Sequence, residues 1–96
     1  MSPERFHRIS KALADPRRLQ ILQSIAAGEE VACSSLCRKS TVSQATMSHH
    51  LKDLVNAGLV TARREAKFVF YRFQQPVWSK YLAEMQRRIP SKPPKR

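Results

Sequence analysis

Apolar residues recur three or four positions apart along most of the chain. This spacing places them on one side of a helix and predicts four helices before residue 57 and a fifth near the carboxyl end. Four of the five starts coincide with helix-capping signals, in which a small polar residue precedes the first turn or a proline occupies it. The signals are Ser2-Pro3, Asp15-Pro16, Ser43 and Pro76. The third helix is predicted over residues 31–39 and the fourth over residues 43–56.

The pattern changes after Gly58. Residues 59–64 and 68–73 are rich in β-branched and aromatic side chains, which favour strands. Residues 65–67 would form the tip of a hairpin, although they lack the glycine or asparagine usual there. The predicted order is therefore α-α-α-α-β-β-α, a mainly α fold with a small β-hairpin. Two adjacent helices followed by such a hairpin predict a winged helix-turn-helix.

The length of the chain, 96 residues, suits a single domain. We predict that residues 1–89 form a DNA-binding and dimerisation domain. Residues 90–96 contain three prolines and three cations and predict a basic disordered tail. No apolar run approaches the length of a membrane span and no signal peptide precedes the first helix, so we expect a cytoplasmic, nucleoid-associated protein without a membrane partner.

The charge is strongly basic. Eighteen Lys and Arg oppose seven Asp and Glu, for a formal net charge of +11. A small domain this basic favours a polyanionic partner. We expect double-stranded DNA and not a membrane surface, because no predicted helix combines strong amphipathicity with a lysine-rich face.

The fourth helix predicts how DNA would be contacted. Met47, Leu51 and Leu54 form its apolar stripe, while another face is small, polar, cationic and nearly free of acids. Such a face can approach base edges. The predicted base-reading residues are Gln44, Thr46, Ser48 and His49. The predicted phosphate contacts are Ser43, Lys39, Lys52, Arg63, Arg64, Lys67 and Arg72, together with Arg17 and Arg18.

The adjacent His49 and His50 do not predict a metal site, because neighbouring residues on a helix point about 100° apart. His50 lies beside the apolar stripe, and we expect it to be packed and hydrogen-bonded. No cofactor is predicted.

Two cysteines leave alternatives open. Cys33 and Cys37 are four positions apart, so both thiols lie on one face of the predicted third helix. Thiolates bind soft metals and metalloids, but two ligands are too few for a closed zinc site. The cysteines are either small buried core residues or a redox or metalloid sensor.

Four segments together resemble the ArsR/SmtB family of bacterial winged-helix repressors. These are residues 13–22, 42–51, 56–60 and 68–73, which span most of the domain. The resemblance implies a homodimeric repressor, and a two-fold dimer would bind an inverted-repeat operator. The family's Glu-Leu-Cys-Val-Cys-Asp-Leu metal box has Ala32 and Ser34 at its two cysteine positions here, and the last helix lacks the family's His ligands, having Glu84 as its only acid. The inducer stays unknown.

The resemblance also implies a dimer surface formed by the first and last helices. Its residues would be Phe6, Ile9, Leu13, Trp78, Tyr81, Leu82 and Met85. Alternatively, these side chains close the core of the single chain; the two roles are compatible, since dimer interfaces resemble a divided core.

Other function classes have less support in the sequence. No Ser-His-Asp set, paired carboxylates, phosphate loop or metal tetrad is visible, so we do not expect an enzyme. A winged helix that binds protein, or one that binds DNA without sequence preference, stays as an alternative.

Overall fold

The computed structural model describes residues 1–92; residues 93–96, part of the predicted tail, lie outside the described residues. Residues 90–92 are exposed and belong to no helix or strand. The elements are α1 (Pro3–Leu13), α2 (Pro16–Ala26), β1 (Val31–Ala32), α3 (Cys33–Arg38), α4 (Gln44–Asn56), β2 (Val60–Glu65), β3 (Phe68–Phe73) and α5 (Gln75–Arg88). The predicted order is confirmed, with one additional strand.

The predicted capping residues begin three of the helices. Ser2 Oγ accepts the Arg5 N–H at 3.2 Å, and Ser43 Oγ accepts the Thr46 N–H at 3.1 Å. Asp15 caps α2 by accepting two backbone N–H groups at 2.8 and 3.3 Å. These bonds, above all that from the Arg18 N–H, hold the pKa of the Asp15 carboxyl below its usual value.

The additional strand corrects the predicted third helix. Val31–Ala32 is extended and pairs antiparallel with β3, so α3 begins only at Cys33. The sheet therefore has three strands in the order β1-β3-β2, and not two. A strand of two residues is too short to show the alternation of apolar and polar side chains. Its partners, Phe70 and Tyr71, are distant in sequence, so no local signal predicts it.

The hairpin is confirmed. Its register runs from Val60↔Phe73 to Glu65↔Phe68, which leaves Ala66 and Lys67 as the turn. Ala66 has φ 52°, in the left-handed region that favours glycine. The missing glycine is thus a real departure from the usual turn composition.

The core lies where α4 meets the other helices and the base of the wing, the β2–β3 hairpin. In α2, Ile21 is buried, whereas Leu19 is 38% exposed. The fully buried large side chains are Ile9, Ile25, Met47, Leu51, Leu54, Leu59 and Val60.

The side chains predicted for a dimer surface divide into two groups. Phe6, Ile9 and Tyr81 are buried in this chain's own core, and Phe6 stacks on Tyr81 at 5.1 Å between ring centroids. Their burial agrees with the alternative that they close the core of the single chain, and their role at a dimer surface stays a prediction. The other four are half-buried or exposed: Leu13, Trp78, Leu82 and Met85.

Gly58 lies just after the carboxyl end of helix α4 and has φ 79°. The Gly58 N–H donates to the Val55 carbonyl at 2.9 Å, and the Leu59 N–H donates to the Leu54 carbonyl at 3.1 Å. This is a Schellman motif, whose left-handed residue is normally glycine. A side chain at this position would also approach Arg5, since an added Cβ lies 2.9 Å from its Nη2.

We expect Gly58→Ala to lower the free energy of unfolding by about 1–2 kcal/mol, the cost of a left-handed alanine. Urea unfolding followed by circular dichroism measures it. Ala66→Gly is the matched control: it relieves a left-handed alanine, so it should not destabilise the protein. Equal losses for the two variants would contradict the role of backbone conformation.

Candidate nucleic-acid interface

The two faces of α4 separate as predicted. Met47, Leu51 and Leu54 are buried, while Gln44, Ser48 and Lys52 are exposed along the other side. Ala45 and His49 are exposed beside them. The burial of one stripe therefore presents a polar, cationic face to solvent.

Thr46 differs from the other predicted base-reading residues. It is half-buried, and its Oγ1 accepts a hydrogen bond of 2.9 Å from the hydroxyl of Ser43. Ser43 thus interacts with both the backbone and the side chain of Thr46. The pair stabilises the start of α4, which leaves Gln44, Ser48 and His49 as the exposed members of the predicted set.

The wing and α4 border one open cleft of ≈ 500 Å³. Gln44 and Ser48 line it from α4, and Arg64 and Lys67 line it from the wing. Phe68 also lines it and is 49% exposed, with the Lys67 Nζ 5.6 Å from the centre of its ring. Phe68 was not predicted as a site residue, because an aromatic residue in a strand predicts burial.

The cations predicted to contact phosphate have different surroundings. Arg64, Lys67 and Lys52 are exposed, as is Lys39 after α3. Arg63 instead donates to both carboxylate oxygens of Glu30, at 3.1 and 2.8 Å, and its guanidinium lies 4.8 Å from the centre of the Phe70 ring.

Glu30 therefore holds wing cations in place. Its carboxylate also lies 3.8 Å from Arg72 Nη2, and Glu65 lies 3.4 Å from Arg63 Nη1. The hydrogen bonds from Arg63 hold the pKa of Glu30 below its ordinary value. Glu30 could not be predicted from the sequence, because it is separated from Arg63 by more than thirty positions and no local signal connects them.

Arg18 does not lie where a phosphate contact would. Its side chain is 14% exposed, and its Nη2 lies 2.9 Å from Asp53 Oδ2 on α4. The prediction of a phosphate contact is wrong for this residue, because its guanidinium is directed between helices. Its neighbour Arg17 is exposed.

His50 is buried, which confirms the predicted packing. Its Nδ1 has no hydrogen-bond partner within residues 1–92, so the predicted hydrogen bond is not formed at that atom. His49 is exposed, with its Nε2 3.6 Å from Asp53 Oδ2. In the described residues, no group of three or more His, Cys, Asp or Glu side chains is placed to hold a metal ion.

Cys33 and Cys37 are half-buried on α3 and line the same cleft as Gln44 and Ser48. Burial raises the pKa of the Cys33 thiol, and the neighbouring Cys37 thiol raises it further. Both are free thiols. The pair therefore lies beside the candidate interface.

None of the helices in residues 1–92 has the length and apolar character needed to cross a membrane.

Comparison with known proteins agrees with this geometry. A family model described as bacterial regulatory protein, arsR family, matches residues 15–62. The chain is 42% identical over 71 residues to the arsenical resistance operon repressor of Staphylococcus xylosus, over 74% of this chain and 67% of that one.

Two solved structures share the winged helix-turn-helix fold. An ArsR-like transcriptional regulator from Rhodococcus sp. RHA1 superimposes with a TM-score of 0.78 at 26% identity, covering 91% of this chain and 80% of that one. A homodimeric winged helix-turn-helix DNA-binding domain from Mycobacterium bovis gives 0.72 at 30% identity, covering 96% and 89%. The predicted fold class is confirmed.

The Glu30–Arg63 contact predicts a pH dependence. Because the pKa of Glu30 is lowered in the folded chain, the contact stabilises the wing fully above pH 4.5, the ordinary value, and is lost as pH falls through the lowered pKa. Carboxyl carbon shifts from NMR titration should place the Glu30 midpoint below 4.5.

Arg63→Met should return that midpoint toward the ordinary value, since it removes the main cause of the shift. Arg64→Met is the control, because it removes an adjacent wing cation that does not contact Glu30. The same midpoint in both variants would show that Arg63 is not responsible.

Proposed function

Since the chain belongs to the arsR family of bacterial regulatory proteins, we propose that it is a transcriptional repressor that binds an inverted-repeat operator in duplex DNA as a homodimer. The observation that carries the proposal is the shared cleft: the exposed face of α4 and the cationic side of the wing border the same open space. A duplex lying across it would meet base-reading side chains on one side and phosphate-binding cations on the other. Duplex DNA as partner places the protein at the cytoplasmic nucleoid.

Base reading is assigned to the exposed side chains of α4. Gln44 can pair bidentately with adenine, Ser48 and His49 can donate or accept at base edges, and Ala45 leaves room for a thymine methyl group. Thr46 contributes mainly by holding Ser43, as their hydrogen bond indicates.

Phosphate binding is assigned to exposed cations around the cleft. Lys52 extends from α4, Lys39 precedes it, and Arg64 and Lys67 belong to the wing. Arg63 and Arg72 both pair with the Glu30 carboxylate, so each would contribute less to phosphate binding until DNA displaces that carboxylate.

Dimerisation is assigned to the apolar surface left on α1 and α5. Leu82 is 43% exposed, and Leu13, Trp78 and Met85 are half-buried. The homodimeric state of the domain from M. bovis supports this assignment. Two recognition helices related by two-fold symmetry would reach half-sites about one helical turn (~10 bp) or a multiple of it apart.

The function is tested by titrating the protein against its own upstream DNA, a random duplex and a duplex with one half-site. We expect the upstream DNA to bind at least a thousandfold more tightly than random duplex, the lower bound for specific recognition (~4 kcal/mol). All affinities should fall as salt rises. Equal affinity for upstream and random DNA would indicate an architectural protein, and no binding even at low salt would indicate a protein-interaction module.

Two variants test the division of roles in the same assay. Gln44→Ala should weaken binding of upstream DNA by ~1–3 kcal/mol and leave binding of random duplex unchanged, because it removes a base contact. Lys67→Ala should weaken both alike and reduce the salt slope by about 1, because it removes a phosphate contact. Equal losses of specific and non-specific binding in Gln44→Ala would overturn the division.

A second candidate role is a thiol-dependent response, in which the repressor is released by a metalloid or an oxidant. It is favoured by the position of Cys33 and Cys37 in the wall of the cleft that α4 and the wing share. A group bound across both sulfurs would lie against Gln44 and Ser48, where it would compete with DNA. The relative from S. xylosus is named for arsenical resistance.

The response is tested by repeating the titration with reductant, oxidant, Zn(II) and As(III). We expect As(III) to weaken binding of upstream DNA by more than tenfold (~1.4 kcal/mol). The variant carrying Cys33→Ser and Cys37→Ser should bind DNA normally and not respond. If no condition changes the affinity by more than tenfold, the thiols are structural.

A further inference from the structure

The only acid of α4, the proposed recognition helix, is paired with an arginine from another helix. Asp53 is the only acidic residue in α4, and a carboxylate on a helix that faces DNA would repel phosphate. Its Oδ2 lies 2.9 Å from Arg18 Nη2 of α2, and only 14% of the Arg18 side chain is exposed. The carboxylate is therefore paired before any DNA arrives.

The same arginine also reaches a third helix. Arg18 Nη1 donates to the carbonyl oxygens of Lys11 and Ala12 at 3.4 and 3.2 Å. These carbonyls belong to the last turn of α1, where the Lys11 carbonyl also accepts the backbone N–H of Ala14 at 3.3 Å. One guanidinium thus joins the carboxyl end of α1 to the first turn of α2 and the last turn of α4.

We propose that Arg18 and Asp53 are positioning residues, which fix the angle of the recognition helix relative to α1. The inference rests on the proposed DNA-binding function and adds residues that would not themselves touch bases. Arginine suits the task because its planar fork donates in several directions at once, whereas lysine is a single point charge.

The pair would also connect two surfaces. Asp53 lies 3.6 Å from His49 on the exposed face, and Ala12 is followed by Leu13, a residue of the proposed dimer surface. A displacement of α1 would therefore be transmitted through Arg18 to α4. This gives the dimer contact a direct route to the angle of the recognition helix.

The decisive variant is Asp53→Asn, because the two possible roles of Asp53 predict opposite changes in the affinity for upstream DNA. If Asp53 were a surplus acid, removing its charge would strengthen binding to every duplex. If it positions α4, the change weakens binding to upstream DNA by about five- to tenfold, while random duplex binds as well as before or more tightly. The ratio of the two affinities must fall.

Arg18→Lys gives a second, independent comparison. It keeps the charge, so a phosphate contact would survive, but it cannot hold Asp53 and both α1 carbonyls. We expect it to lower the affinity ratio, and Arg18→Met to lower it further, by at least tenfold. Arg87→Lys is the matched control, because Arg87 pairs bidentately with Glu84 on α5 and should leave the ratio unchanged.

Thermal unfolding of each variant, followed by circular dichroism, confirms that the chain is folded at the assay temperature. Should Arg18→Met unfold, Asp53→Asn and Arg18→Lys decide the question. Stronger binding of upstream DNA by Asp53→Asn, or an unchanged affinity ratio in Arg18→Lys, would overturn the proposal. Failure of the unaltered protein to bind any duplex would instead refute the proposed function.

Discussion

Burial of the apolar stripe of α4 is the interaction on which the rest of the structure depends. Met47, Leu51 and Leu54 are almost completely removed from water, and each such side chain contributes roughly 1.5–3 kcal/mol. The helix has 3.6 residues per turn, so burying this stripe leaves Gln44, Ser48 and Lys52 facing outward. The hydrophobic core therefore selects which face of α4 is available to a partner, and the Schellman motif at Gly58 then turns the chain into the wing.

Features set by local chemistry could be predicted from the sequence. Capping residues and helical spacing located α1, α2 and α4, because each signal lies within a few positions of the structure it specifies. The hairpin followed from its aromatic and β-branched strands. Strand β1 could not be predicted, since Val31 and Ala32 become a strand only through pairing with β3.

Ion pairs between distant residues were the main omission at the candidate interface. The sequence shows how many cations are present but not which carboxylate each one meets. Arg18 and Arg63 were both expected at phosphates, yet each has an acidic partner more than thirty positions away. In residues 1–92, arginines make nearly all the contacts with carboxylates, His49 makes one, and lysines make none. Arginine can satisfy a carboxylate with two parallel hydrogen bonds, which explains this preference.

Strand β1 has a mechanical consequence. Because Ala32 ends the strand and Cys33 begins α3, no linker separates the sheet from the first helix of the helix-turn-helix. We therefore expect the wing and α3 to move together as one rigid unit. A subunit built this way has little freedom to adapt internally to operators with different helical twist. In the proposed dimer, any tolerance of half-site spacing would have to come from the contact between the two subunits.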